Sequence, residues 1–441
     1  MILEFQVENY LSFKEQASLS MIPSSSATSK KELRDAVVDT GKYKVLSSAA
    51  IYGANASGKS NFLSAINFMK NFIFAPVQPS KIAKEIKITH FKFNSVCDTK
   101  PSTFEMVFLI RSVGYKNETK DVVFRYGFEV DKEKILSEWL FGRFSAQESR
   151  LFTRVDDEIK IGEKFSEGKQ VYNATGKIAN KTLFLSLINY IKGENAVITK
   201  SIIDWFARLV DLSAIANLNL YDITSKIMAN AEMKNKIIQA FCSADICIED
   251  IVVEPEPLDL NSLPKNIKIG FGKKGTNNIM SINPKSYHKK YNKNKEVIGN
   301  EELDFHKEES SGSKKFLAII GPILDALRFG LVIVIDEIDA RLHPSLCEEL
   351  IGLFNSKKTN KNNAQLIFAT HNTLIMHRRM LRRDQIYFIE KDKYGESEIY
   401  SLSDYKKVRS DASYDKDYLL GKYGATPSLG TFQSFLEGDD A

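Results

Sequence analysis

The chain has 441 residues, too many for one simple core, so two or three domains are expected. Its 43% hydrophobic and 27% charged content is ordinary for a soluble globular protein, and a net charge of +5 over this length argues for no nucleic-acid partner by itself. Leu3, Phe5 and Val7 alternate on one face, and Tyr10, Phe13, Leu19 and Met21 extend the pattern, predicting a strand pair over residues 1–22. No basic stretch precedes an apolar one there, so no secretory signal is expected. Residues 23–31 are rich in Ser, Thr and Lys and read as a loop. Ala49, Ala50, Ile51 and Tyr52 form a short apolar strand, and Phe62, Leu63, Ala65, Ile66 and Met69 follow at helical spacing. Residues 104–110, 122–130 and 135–144 read as successive strands.

From about residue 150 the pattern changes. Ile202, Trp205, Phe206, Leu209, Val210, Ile227, Ile237 and Ile238 recur at helical spacing, predicting a helical insertion. Residues 265–300 are dense in Lys, Asn and Gly, including the run 289–295, and read as short strands with solvated loops. The apolar window 316–335 is broken by Gly321, Pro322, Asp325, Arg328 and Gly330, so it predicts a buried helix and then a strand, not a membrane span. No sustained heptad repeat appears. Strand and helix signals alternate again after 305, as in a resumed parallel sheet. The expected organisation is α/β: 1–150 and 301–441 as two parts of one domain, with a helical α+β insertion over 151–300. Cys97, Cys242, Cys247 and Cys347 show neither zinc-like pairing nor a disulfide framework, which fits reduced, mostly buried thiols in a cytoplasmic protein. The acids from Asp245 to Asp250 alternate with apolar residues and read as a strand entry rather than a metal site.

Gly53, Ala54, Asn55, Ala56, Ser57, Gly58, Lys59 and Ser60 fit the pattern G-x-x-x-x-G-K-[ST] between a predicted strand and helix. The glycines let the backbone curl until several N–H groups face one phosphate, and the helix N-terminus adds partial positive charge. Lys59 is expected to reach the terminal phosphates of ATP, Ser60 to ligate Mg2+, and Asn61 to belong to the same cofactor-binding stretch. Residues 331–335 form an apolar run of strand length that delivers Asp336 and Glu337 at its end. Asp336 suits the Mg2+, and Glu337 suits polarising the attacking water as catalytic residue. Residues 365–370 predict a second strand ending at His371; a histidine there is commonly structural, but its place on the same sheet edge as the acids favours a catalytic role as sensor of the γ-phosphate. Glu309, Ser310, Ser311, Gly312 and Ser313 precede a helix; taken alone they are an N-cap.

The order of phosphate loop, long insertion, Ser-Ser-Gly-Ser, Asp-Glu strand and Ala-Thr-His resembles the ABC-type heads of SMC, Rad and RecF proteins. It is similar, more closely, to bacterial phage-defence ATPases of the RloA and AbiL group, relatives of the ATPase half of OLD-type nucleases. Residues 5–13 look like that group's opening strand, 336–344 like its extended acid motif, and 381–386 and 418–427 like its C-terminal blocks. The resemblance implies an ABC-ATPase head with a mixed or parallel core sheet and an antiparallel β lobe. It also implies an ATP sandwich between two copies, in which Ser310, Ser311 and Gly312 of one contact the γ-phosphate held by the other. It further implies a regulatory role over a separately encoded effector, toprim-like, RloB-like or HNH, since no nuclease constellation is present in this chain. Two departures stand out: neither Gln78 nor Gln147 has the setting of a glutamine-bearing loop, and His343 replaces the aspartate of SMC heads, leaving Asp339 as a candidate for the trans-contact.

Two other functions are compatible with the residues. One is a RecF-like DNA clamp in repair, binding nucleic acid through His377, Arg378, Arg379, Arg382 and Arg383 with the lysines at 289–295; the same arginines read more simply as a solvated helix face with structural ion pairs. The other is a scaffold that binds ATP and scarcely hydrolyses it, against which the complete acid pair argues.

Overall fold

The alternation at the start of the chain gives β1 (Ile2–Glu8), which pairs antiparallel with β2 (Ala17–Ser20) with Phe5 opposite Leu19. The small hairpin β3 (Val37–Asp39) and β4 (Lys44–Leu46) precedes β5 (Ser48–Tyr52), every residue of which is buried, as suits a central strand covered on both faces. The helix α1 (Lys59–Ile73) buries Phe62, Leu63, Ala65, Ile66, Met69 and Ile73, a stripe with a 3.6-residue repeat. The meander β6 (Ser102–Tyr115), β7 (Glu118–Val130), β8 (Ile135–Arg143), β9 (Ser149–Val155) and β10 (Glu158–Ile161) follows. Next come α2 (Ser166–Thr175), α3 (Phe184–Lys192), α4 (Val197–Ala207) and the short β11 (Leu209–Asp211). Then α5 (Ala231–Ser243) leads to β12 (Asp250–Pro257), β13 (Met280–Tyr291) and β14 (Val297–Asp304). The turn of helix α6 (Phe305–Glu308) precedes α7 (Ser311–Phe329), and α7 feeds β15 (Val332–Ile335). The chain closes through α8 (Pro344–Asn355), β16 (Gln365–Ala369), β17 (Ile386–Lys391), β18 (Ser397–Ser401) and α9 (Tyr414–Leu419).

This computed structural model describes residues 1–24, 33, 35–77, 85–115, 118–213, 224, 226–257, 280–377, 379–405, 408 and 412–427, with backbone alone at 115, 118, 254–257 and 280–283. Much of the loop expected at 23–31, the stretch 265–279, Gln78 and Arg378 lie outside the described residues.

Contacts divide the chain into two compact units, Met1–Ser213 with Leu327–Asp339 and Cys347–Ala441, and Ala214–Ala326 with Ala340–Leu346. The first unit is α/β. It holds a seven-stranded antiparallel sheet, β10-β9-β8-β7-β6-β1-β2, and a six-stranded sheet, β11-β15-β16-β5-β17-β18. The six-stranded sheet is parallel except for its last pair, β17 and β18. One hydrophobic core joins both sheets to α1, where the ring of Phe62 meets Phe5 and Phe13 edge-on at 5.6 and 5.7 Å. Each such ring contributes roughly 2–3 kcal/mol by leaving water. Trp205 of α4 stacks on Phe108 of β6 at 4.1 Å, fastening α2–α4 to the antiparallel sheet. Leu209 and Val210, grouped by spacing with a helix, instead form β11, because pairing with Val332 and Ile333 of β15 extends the parallel sheet.

The second unit contains α5, the sheet β12-β13-β14 and the N-terminal part of α7. Phe241 of α5 meets Phe316 of α7 edge-on at 4.9 Å, and Thr224 donates to the Leu317 carbonyl. Asp245 and Glu249 precede β12, and Asp250 opens it. Cys97 and Cys347 are buried but Cys242 and Cys247 are exposed, so the thiols are only half buried, against expectation. No helix among the described residues is long and apolar enough to cross a membrane.

Candidate nucleotide site

Parallel pairing puts three strand ends side by side. Ile335 of β15 lies opposite Phe368 of β16, and Ala369 of β16 lies opposite Ile51 of β5. Asp336 and Glu337, then Thr370 and His371, then Gly53 therefore leave the sheet along one edge, where open parallel sheets gather ligands.

The loop from Gly53 to Gly58 is shaped by close approaches from distant segments. Gly58 has φ 118°, and a Cβ there would sit 2.6 Å from Ser397 Oγ and 2.7 Å from Ser12 Oγ. Gly53 is as constrained, since its Cβ would lie 2.3 Å from the Ile389 carbonyl oxygen. Ser397 Oγ donates to the Ser57 carbonyl, and Asn61 donates to Ser12 Oγ at 2.8 Å. Two hydroxyls from β18 and the β1–β2 turn thus grip the loop from behind. Sequence reasoning missed both, and no local signal marks a serine whose partner is 340 positions away, as for Ser397, or 49, as for Ser12.

Lys59 opens α1, is only 6% exposed, and folds its Nζ over the loop onto the carbonyls of Gly53 and Ala54, each at 2.9 Å. Burial pushes its pKa below the ordinary lysine value, while Asp336, Glu337 and Asp339 pull it back up. Ser60, Asn55 and Ala56 are exposed, and Ala54 and Asn61 are half-buried. Ser57 Oγ and Asp336 Oδ1 are buried with no hydrogen-bond partner among the described residues. Glu337 is exposed at φ 49°, a left-handed conformation uncommon for a non-glycine residue. Asp339 accepts from Thr370 Oγ1 at 2.7 Å, and Ile338 N–H donates to the Ala369 carbonyl, tying the acid loop to the strand that carries His371. His371 is exposed, and its pKa is lowered by partial desolvation and then by the Lys59 charge, against the pull of Asp339, Glu337 and Asp336.

The phosphate-loop residues, Asp336, Glu337 and His371 therefore meet at one edge of the first unit. Ser310, Ser311 and Gly312 belong to the second unit, at the start of α7. Ser310 Oγ accepts from the Ser313 N–H at 3.0 Å, so it caps the helix, and both Ser310 and Ser311 are exposed.

A family profile described as "AAA domain, putative AbiEii toxin, Type IV TA system" matches residues 48–243 and 253–377, well over half of the chain. The chain belongs to that AAA-domain family. No curated protein matches it. Among solved structures, an SMC head bound to the C-winged helix domain of ScpA is 14% identical over 91% of this chain and 97% of that one, at TM-score 0.43. An SMC head domain from Thermotoga maritima is 12% identical over 91% and 98%, at TM-score 0.36. An SMC head with an extended coiled coil, bound to the C-terminal domain of ScpA derived from Pyrococcus furiosus, is 12% identical over 96% and 98%, at TM-score 0.41. These likenesses are too loose to carry any residue's role across.

One expectation changes in this AAA-domain chain. Arg382 and Arg383 do not line a helix face: Arg382 is buried and forms a two-pronged pair with Asp384, at 2.8 and 2.7 Å, and Arg383 donates to the Val408 carbonyl. A basic residue two positions from an acid closes on it when both are buried, which removes Arg382 from any phosphate-binding surface. Gln147 lies exposed in the turn between β8 and β9.

Proposed function

We propose that the chain is a cytoplasmic ABC-type ATPase of the RloA/AbiL group, hydrolysing ATP to ADP and phosphate and regulating a separately encoded effector in antiviral defence. The observation that carries this reading is the convergence of Lys59, the Asp336–Glu337 pair and His371 on one sheet edge beside the curled loop. The family's own description, "putative AbiEii toxin, Type IV TA system", supports a place in a two-component system, and the defence role is this proposal's own. Strands from residues 1–150 and 301–441 share one sheet, which supports reading those segments as parts of one head; of the insertion expected over 151–300, residues up to Ser213 fall in the same compact unit, with β11 in that same sheet, and the remainder in the second unit.

The residues suit ATP and Mg2+. Two buried, unpartnered oxygens, Ser57 Oγ and Asp336 Oδ1, face the costs of burial without a hydrogen bond, and a phosphate with its cation would supply the missing partners. Lys59 would exchange the loop carbonyls for phosphate oxygens, and Ser60 with Asp336 would hold the cation. The cation would neutralise charge that develops between the β- and γ-phosphates. Glu337, exposed and turned out of the strand, would orient the attacking water and accept its proton. His371, kept neutral by its surroundings, would hydrogen-bond the γ-phosphate. Ser310, Ser311 and Gly312 would close over the nucleotide of a second copy, so that ATP joins two chains and hydrolysis releases them.

Phosphate release and nucleotide binding by wild type, Lys59→Ala and Glu337→Gln test this. Wild type is expected to turn over ATP, Lys59→Ala to lose binding, and Glu337→Gln to bind without turnover. Turnover untouched by Glu337→Gln overturns the assignment. Co-purification with the product of the adjacent gene tests the effector: a toprim-like, RloB-like or HNH partner is expected.

A further inference from the structure

The N-terminal turn of α7 is anchored by a carboxylate lying immediately ahead of it. Glu309 leaves α6 in extended conformation, and its side chain, 7% exposed, turns back onto β13. There Oε1 accepts from Ser286 Oγ and from His288 Nε2, each at 2.6 Å. Ser286 and His288 are two residues apart, so they share one face of the strand, and Ser286 is fully buried. Burial pushes the Glu309 carboxyl up, but hydrogen bonds from Ser286, His288 and Ser313 outweigh that push and hold it below the ordinary range. The charge is therefore retained, and a charged acceptor makes the strongest of such bonds. One residue on, Ser310 pairs with Ser313 Oγ at 2.9 Å, and a Cβ on Gly312 would lie 3.0 Å from the Arg341 carbonyl oxygen. The turn has little room to shift on its own. Its upstream anchor is the sheet, whose β13–β14 hairpin runs on to exposed Tyr291, Val297 and Ile298.

We propose that Glu309 is a positioning residue that couples the β12–β14 sheet to the Ser310–Gly312 turn, so that the placement of the sheet sets how that turn meets the nucleotide of a second copy. This rests on the role given to the turn above. It makes the insertion sheet the input of the device: whatever restrains the hairpin also restrains the turn.

The test is ATP-dependent dimer formation in full-length Glu337→Gln protein, by sedimentation velocity, with binding of a fluorescent ATP analogue measured in parallel. Added to that background, Glu309→Ala and the pair Ser286→Ala with His288→Ala are each expected to weaken dimer formation about tenfold while nucleotide affinity stays within about twofold. His288→Gln, which keeps an N–H donor, is expected to recover most of the effect seen with His288→Ala. Variants that dimerise like their parent overturn the coupling and leave the ATPase reading standing, and so do variants that lose nucleotide binding in step with dimerisation. A parent that stays monomeric with saturating ATP overturns both. Should Glu309→Ala fail to fold, the Ser286 and His288 pair decides.

Discussion

Lys59 and His371 show how far local electrostatics set a residue's readiness for chemistry. The lysine is buried against loop carbonyls and three carboxylates feel its charge, so it is already desolvated before any phosphate arrives. Losing Glu337 while keeping this grip is expected to cut turnover about 10²–10⁴-fold with nucleotide affinity nearly unchanged, as read from phosphate release and calorimetric titration of Glu337→Gln. His371 is exposed, yet partial desolvation and then the Lys59 charge disfavour its cation, so an NMR titration of nucleotide-free protein is expected to give a midpoint below about 6.5, and Lys59→Met to raise it only part-way. The sign follows directly. The unfolded chain takes up this proton near pH 6.5 and the folded chain resists it, so stability from this group is lost as pH falls below that value, not as it rises.

At the scale of elements, loops and helices are fixed by side chains remote in sequence. Ser12 and Ser397 back the phosphate loop, so Ser397→Ala is expected to weaken nucleotide binding by about 1 kcal/mol, roughly fivefold by calorimetry. Gly58→Ala should abolish binding, because its methyl has neither the space nor the backbone conformation it needs. The helices α3 and α4 start without conventional caps, yet Glu138 accepts the N–H groups of Phe184 and Leu185, and Glu167 those of Ile198 and Thr199. Glu138→Ala would strand those groups and the Tyr126 hydroxyl together, while Arg154 keeps its bonds to the Asp156 and Thr182 carbonyls, and is expected to destabilise the fold by about 2–4 kcal/mol in denaturant unfolding. Such features explain what was legible beforehand. The phosphate loop, the Asp336–Glu337 strand end and His371 are readable because the chemistry and the element that presents it are contiguous in sequence. Ser12, Ser397, Glu138 and Glu309 are not, since their meaning depends on partners brought together by the fold. Arg382 misled for the same reason: composition counts a cation, whereas the structure has spent it on Asp384.

At the scale of the whole molecule, the six-stranded sheet draws on segments from both ends of the chain. The strand bearing the phosphate loop ends at Tyr52, and its two neighbours are Gln365–Ala369 and Ile386–Lys391. Long-range parallel pairing of this kind slows folding. While a ribosome makes the chain, a wholly apolar strand emerges early and has no mate for some three hundred further residues, leaving an adhesive segment for a chaperone to shield. A fragment ending before residue 365 is therefore expected to aggregate when expressed alone, while adding the segment through β18 should restore solubility in a centrifugation assay. Assembly of this sheet edge is thus a late event: a nascent copy cannot present it before β16 and β17 have left the ribosome, so the candidate site stays unformed through the making of everything between.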